Sequence, residues 1–278
     1  MASVLDPQDL DSVTAPVQFS VKTGATPVAV VRRPGEGADE RTGVFETHGV
    51  VIRNGRPLAG ALDLDRQGFV LRRVPTAVKD FYDDEEVRRV YYPEMERLVA
   101  AETGAAKVVV FDHTIRVDDD GKQAERKVRA PVRNVHNDFT VRSAPQRVRD
   151  LLPADEAEAR LAKRFGSINV WRPIVGPVES APLAICEYAS IADDDLIAAE
   201  RRYQDRIGGV YHLAYNARQR WYYFPRMERD EAVLLKCFDS RTDGTARWTA
   251  HGAFPDPTTP AGAAARESIE IRTLMFWD

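Results

Sequence analysis

From residue 167 to the C-terminus the chain is one short strand-like run after another, with no helical period between them. The runs are SINVWRPI, APLAICEYASI, GVYHLAYN, RWYYFPRM, AVLLKCFDS, TARWTAHGAF and SIEIRTLMFW, divided by turn residues at short intervals. A parallel α/β sheet needs a helix at each crossover, and this half of the chain supplies none. The pattern therefore predicts a mainly β fold, a jelly roll or barrel decorated by helices. No internal repeat of roughly 20–50 residues is present, which disfavours solenoids and propellers.

The helices belong to the first half. Phe81, Val87, Val90, Tyr91, Met95, Leu98 and Val99 recur at helical spacing, which predicts a helix over about 77–103, closed by Thr103-Gly104. A second helical stretch is predicted over about 143–165, interrupted at Pro153. Between them VVVFDHTIRV (108–117) reads as a strand and DDDGKQAERKVR as a charged loop. Upstream, 16–33 holds two strand-like runs broken by Gly24 and Pro27, and 34–43 has the composition of a loop. Segment 44–56 reads as a strand pair turning at Asn54-Gly55. The expected organisation is a flexible tail over 1–15 and a single domain over 16–278, with its jelly-roll core mainly in 108–278.

Composition narrows the function. With 44% hydrophobic and 29% charged residues the chain is an ordinary globular one, so disorder is excluded as its dominant state. Lys and Arg number 39 against 43 Asp and Glu, and a net charge of -4 gives no pull toward nucleic acid or an anionic membrane. Neither is expected as a partner. No run reaches the roughly 18 apolar residues of a membrane span, and the acidic start MASVLDPQDLDS lacks the features of a signal peptide. Cys186 and Cys237 are too few for a disulfide framework and suit a reducing, cytoplasmic setting. Nothing in the sequence marks an oligomeric state.

The chain has five histidines, and one lies in RNVHNDFTVR. Residues i and i+2 of a strand share a face, so His136-x-Asp138 aims an imidazole and a carboxylate at one point. That is two members of the two-histidine, one-carboxylate triad that holds Fe(II) and leaves coordination positions open. His251, in WTAHGAFPDP, and His212, in VYHLAYN, are both candidates for the third ligand. His212 is alternatively a structural or substrate-binding residue. His113 beside Asp112 lacks the i, i+2 geometry, and His48 lies near a loop. Further on, Arg266-x-Ser268 sets a guanidinium fork and a hydroxyl on one face, a pairing suited to a carboxylate. Arg272, at the same parity, is the rival for that carboxylate. Lys236 and Asp239 have the spacing of a buried ion pair.

The stretches VHNDFT, INVWRPIVGPVESAPLAICEYASI, VYHLAYNARQRWYYFPRMERDEAVLLKCFDS, HGAFPDP and RESIEIRTLMFW resemble the cephamycin hydroxylase component/gibberellin desaturase-like family. That family lies within the Fe(II)/2-oxoglutarate-dependent oxygenases, many of them enzymes of secondary metabolism. The resemblance covers roughly 44–278 and is most specific from 131 on. It implies a double-stranded β-helix, with Fe(II), 2-oxoglutarate and O2 as cofactor and co-substrates. It implies His136, Asp138 and His251 as iron ligands and Arg266 with Ser268 as the anchor for the far carboxylate of 2-oxoglutarate, Arg272 remaining possible. It also sets the INVWRP strand beside the site, with Asn169 as a hydrogen-bond donor to 2-oxoglutarate, Arg172 at the substrate and Trp171 in the core. Trp221 or Tyr223, in RWYYF, is then expected to line the substrate pocket with His212.

The activity this implies is hydroxylation or desaturation of a small molecule, with decarboxylation of 2-oxoglutarate to succinate and CO2. An aspartate at 138 speaks against halogenation, since related halogenases lack that carboxylate. Two other classes compete. A cupin-like hydrolase or isomerase would use the same metal ligands but has no need of Arg266-x-Ser268. A non-catalytic β-barrel binding protein would bury ligand groups without a metal, at a cost in free energy.

Overall fold

A computed structural model of the protein describes residues 10–32 and 40–278. Residues 1–9 of the expected tail, and 34–39 of the expected loop, lie outside them. Five strands form one antiparallel sheet, in the order Phe69–Arg73, Glu231–Asp239, Phe165–Pro173, Glu267–Phe276 and Lys107–Val117. The second sheet is longer and curls. Its central strands are Leu183–Cys186, His251–Ala253, His136–Asn137 and Ile207–Leu213, in that order. The two sheets pack on each other: Leu183 and Ile185 of one share a core with Trp171, Val233 and Leu235 of the other. The fold is mainly β, a jelly roll with few helices. None of the helices among the described residues is long and apolar enough to cross a membrane.

The helix Tyr92–Thr103 covers the outer face of the five-stranded sheet, packing Tyr91, Met95 and Val99 against Ile168, Val170, Ile269 and Ile271. Every residue of Phe165–Pro173 is therefore buried, on both faces. The helical path starts at Asp84, where the Asp83 side chain accepts from the Glu85 and Glu86 amides, and residues 77–83 are not helical. It passes through a π-helical turn at Val87–Tyr91 and ends at Gly104, whose φ of 67° is the left-handed cap glycine favours. The second helical stretch is two helices, Ser143–Leu151 and Ala154–Leu161, broken around Pro153.

Several boundaries differ from the sequence reading. Ser12–Ala15 are not tail but the start of the strand Ser12–Ser20, in which Val13, Ala15, Val17 and Phe19 alternate inward. The core also draws on Phe45–Asn54 and Phe69–Arg73, upstream of residue 108. Glu40–Arg41, read as loop, pair with Val28–Val30, and the charged stretch after residue 117 contains the helix Asp120–Arg126, capped by Asp119. Segment 44–56 is not a hairpin. Phe45–Asn54 is one strand paired along its length with Ser12–Ser20, and the chain leaves it into a helical turn at Arg56–Leu58. Gly55 serves close approach rather than reversal: a Cβ there would stand 2.8 Å from the Phe224 ring.

Gly55→Ala should accordingly destabilise the fold by about 1–3 kcal/mol through overpacking. Urea unfolding should give a lower midpoint with an unchanged slope; an unchanged midpoint would contradict this packing account.

Candidate metal centre and active site

His136 and His251 are direct partners across neighbouring antiparallel strands, so both imidazoles project from one face. Their ring centroids are 4.9 Å apart. Asp138 follows the strand His136–Asn137, and its Oδ1 is 3.5 Å from His136 Nε2. One ligand atom from each of the three residues lies within 4.8 Å of the others, and all three residues are buried. Asn137 points the other way and fastens the segment, its amide donating to the Phe139 and Cys237 carbonyls at 2.7 and 2.9 Å.

The hydrogen bonds around this trio leave the right atoms free. His136 Nδ1 lies 3.0 Å from the Asn134 carbonyl and His251 Nδ1 lies 2.9 Å from the Thr249 carbonyl. A carbonyl can only accept, so each Nδ1 carries a proton, and in the neutral imidazole Nε2 is then the atom that holds the lone pair. Asp138 Oδ2 accepts from Asn169 Nδ2 at 2.7 Å and from Arg272 Nε at 3.2 Å. Oδ1 is buried with no hydrogen-bond partner. Burial alone would raise the Asp138 pKa, but the Arg272 guanidinium foremost, then Arg201, holds it well below the usual carboxylate range. Burial, reinforced by His251 and Arg201, keeps His136 well below its ordinary value and thus neutral. Two free imidazole lone pairs and one orphaned carboxylate oxygen fit a divalent first-row metal.

A cavity of about 740 Å³ opens beside Asp138. Arg116, Arg201, His212 and Arg272 line it together with Phe111 and Phe139. His212 sits opposite His136 in the sheet but outside the trio. Its Nδ1 meets Ser20 Oγ at 3.0 Å, and burial, then Arg201 and Arg41, pushes its pKa down to about 4.

Arg266, Ser268 and Arg272 all project from the same face of the last strand. Arg272 lies opposite Asn169 and reaches Asp138; it also bonds Thr114, Asp112 and Glu270. Arg266 immediately precedes the last strand, and neither it nor Ser268 is among the residues lining the cavity. Its Nη1 donates to the Ala181 carbonyl at 2.6 Å, its guanidinium stacks 5.5 Å over the Trp171 ring, and its Nε has no partner. Burial first, then Arg116, pushes the Arg266 pKa down to about 9.

Asn169 donates one of its two amide N–H groups to Asp138. Three expectations are corrected. Arg172 turns away from the barrel interior, because residue 172 shares a face with Ile168 and Val170; it donates to the Val74 carbonyl and lies over Tyr91. Trp221 and Tyr223 do not line the cavity. They pack in a second core, Trp221 edge-on to Phe19 and Tyr223 edge-on to Phe254. Of the remaining residues, His113 bonds Tyr92 and His48 stacks on Tyr215, both outside the site. Lys236 and Asp239 pair at 3.0 Å inside the fold. The sequence reading missed Arg116 and Arg201. The period-2 polar row Asp112, Thr114, Arg116 in a strand was a usable signal for the first.

A two-histidine, one-carboxylate cluster buried in a jelly roll defines the class of non-haem Fe(II) oxygenases. Comparison with known proteins agrees. A family model described as an oxidoreductase/YMDC permease-like domain matches residues 17–276. The hydroxylase/desaturase efuI of Hormonema carpetanum is 35% identical over 257 residues, 84% of this chain and 85% of that protein. The Fe(II)/2-oxoglutarate-dependent dioxygenase nvfI of Aspergillus novofumigatus is 32% identical over 82% of this chain and 83% of its own. The solved structure of the iron and alpha-ketoglutarate-dependent endoperoxidase NvfI superposes with a TM-score of 0.84 at 29% identity, covering 96% of this chain and 98% of that one. The chain belongs to this family of Fe(II)/2-oxoglutarate-dependent oxygenases. It is an Fe(II)/2-oxoglutarate-dependent dioxygenase, with Fe(II), 2-oxoglutarate and O2 as its cofactor set. The hydrolase and binding-protein readings fall away.

Trp221→Ala should cost about 3–5 kcal/mol of stability as a large-to-small core change, measured by denaturant unfolding. Near-native stability with a raised KM for the organic substrate would return Trp221 to the pocket.

Proposed function

We propose that His136 Nε2, His251 Nε2 and Asp138 Oδ1 bind the Fe(II). The observation carrying this is the buried Oδ1 of Asp138, which accepts no hydrogen bond and has Arg201 Nη1 at 3.9 Å, beside two imidazoles whose Nδ1 protons are spent on carbonyls. Asn169 and Arg272 act as positioning residues. By holding Oδ2 they turn Oδ1 toward the histidines.

The far carboxylate of 2-oxoglutarate is assigned to Arg266 with Ser268. Charge accounting supports this choice. Arg272 is already surrounded by Asp138, Asp112 and Glu270, which raise its pKa well above the ordinary value despite burial. Arg266 is a buried cation with one neutral acceptor and an idle Nε, and burial with Arg116 and Arg133 outweighs the nearby acids Asp118 and Glu270. A buried charge in that state gains most from an incoming anion. Fe(II) and 2-oxoglutarate, when bound, activate O2 with release of succinate and CO2 and supply the oxidising power that removes hydrogen from the substrate. The protein supplies position and a shielded cavity. His212, neutral at physiological pH, offers the substrate a hydrogen bond without adding charge.

The substrate is a secondary metabolite, a reading supported by the similarity to the aspirochlorine biosynthesis protein N of Aspergillus oryzae. The setting is the cytoplasm, in keeping with two free, buried cysteines. A net charge of -4 supports a role without nucleic acid or membrane partners.

Succinate formation with Fe(II), ascorbate and 2-oxoglutarate tests the activity. Arg266→Ala should raise the 2-oxoglutarate requirement by an order of magnitude or more, corresponding to roughly 1.5–3 kcal/mol of charged hydrogen bonding. Arg272→Ala should instead weaken iron retention. A large effect on 2-oxoglutarate confined to Arg272→Ala would reverse the assignment.

A further inference from the structure

One wall of the cavity carries charge that the chemistry at Asp138 does not use. It is built by the helix Ser143–Leu151 and by the turn between the strands Leu196–Arg202 and Ile207–Leu213. Arg147, from the helix, lies 4.8 Å over the Phe111 ring. Arg206, from the turn, lies 4.0 Å over the Tyr203 ring. All four residues line the cavity. Aromatic faces hold both guanidiniums in place while leaving their N–H edges open.

Neither arginine is well neutralised. Among the described residues Arg206 forms no ion pair, and the acid paired with Arg147 is Asp150, at 3.9 Å. The two cations sit near each other: burial and then the charge of Arg206 lower the Arg147 pKa. The chain as a whole carries -4, yet eight arginines and four acidic residues line this one cavity. Asp138 is committed to the metal and Asp112 pairs with Arg272 at 3.3 Å. Val28, Ala29, Phe45 and Val210 add apolar surface to the same cavity. A cavity with apolar lining and two stacked, under-neutralised guanidiniums matches an amphiphilic anion.

We propose that the organic substrate carries an anionic group, a carboxylate or its sulfonate or phosphate equivalent, on an otherwise apolar skeleton, and that Arg147 and Arg206 together receive that group. The proposal rests on the reading that this cavity is the substrate site of the oxygenase. It makes these two arginines the determinants of substrate class, distinct from Arg266, assigned to 2-oxoglutarate, and Arg272, which holds Asp138.

The test uses the chain loaded with Fe(II) and 2-oxoglutarate under argon. The probes are anilinonaphthalene sulfonate and phenylnaphthylamine, the same apolar skeleton with and without an anion, followed by fluorescence. The sulfonate should bind about tenfold tighter than the neutral amine, as charge-assisted hydrogen bonds require. Arg147→Gln and Arg206→Gln should each weaken the sulfonate about fivefold, with amine binding as the check that the cavity is intact, and Arg206→Lys should restore part of the loss. Equal binding of the two probes, no sulfonate binding, or Gln variants that bind sulfonate like the parent would each overturn the proposal. Because Arg206 lies on a partly exposed turn, its variants keep the test decisive if Arg147→Gln fails to fold. Iron-dependent binding of 2-oxoglutarate, measured by calorimetry on the same parent sample, tests the oxygenase reading separately. Its absence with sulfonate preference retained sinks that reading alone, and the reverse result sinks this one alone.

Discussion

The negative charge on Asp138 is the constraint around which the barrel interior is arranged. A carboxylate this deeply buried is sustained only by partners that compensate lost hydration. Asn169 and Arg272 provide them on Oδ2, and Arg272 is in turn balanced by Asp112 and Glu270. These groups arrive from three adjacent strands, Lys107–Val117, Glu267–Phe276 and Phe165–Pro173. Their register puts Arg272 opposite both Asn169 and Asp112. A slip of one residue would turn Arg272 into the apolar layer under the helix Tyr92–Thr103 and bring Ile271 to Asp138. The site and the strand register are thus mutually dependent.

Much of this was legible in the sequence because strand geometry is simple. His136-x-Asp138 needs only the two-residue period to become a converging pair, and the late strand runs need only their spacing to exclude a parallel sheet. What was not legible is which face of a strand looks inward when both faces are buried. In Phe165–Pro173 no polar alternation survives, so Asn169 and Arg172 looked equally close to the chemistry. Only the helix packed outside shows that Arg172 belongs to the other layer. Trp221 and Tyr223 were misassigned for a related reason: the curled sheet encloses a second core, which the aromatic alternation of RWYYF fits as well as it fits a pocket. Asn54-Gly55 has the composition of a hairpin turn, but its glycine answers to the Phe224 ring, a residue distant in sequence.

The choice between two arginines illustrates a different limit. Arg266 and Arg272 have the same residue type and the same parity along the last stretch of chain, and no local pattern separates them. Their surroundings do. Arg272 makes direct contacts to carboxylates, whereas Arg266 touches a carbonyl and an indole and feels Asp118 and Glu270 less than burial and Arg116. Charge balance in three dimensions distinguishes the two cations, and it depends on residues of two other strands, Lys107–Val117 and Phe165–Pro173, and on Ala181 and Asp138 from the segments between strands.

The most direct test of the account is a metal titration, independent of any substrate. Calorimetry with Co(II), as a redox-stable substitute for Fe(II), should find one site per chain in the parent protein and in His212→Ala. The site should be lost, with affinity reduced at least about a hundredfold, in His136→Ala, Asp138→Ala and His251→Ala. Parent-like Co(II) affinity in His251→Ala together with its loss in His212→Ala would contradict the metal centre described here.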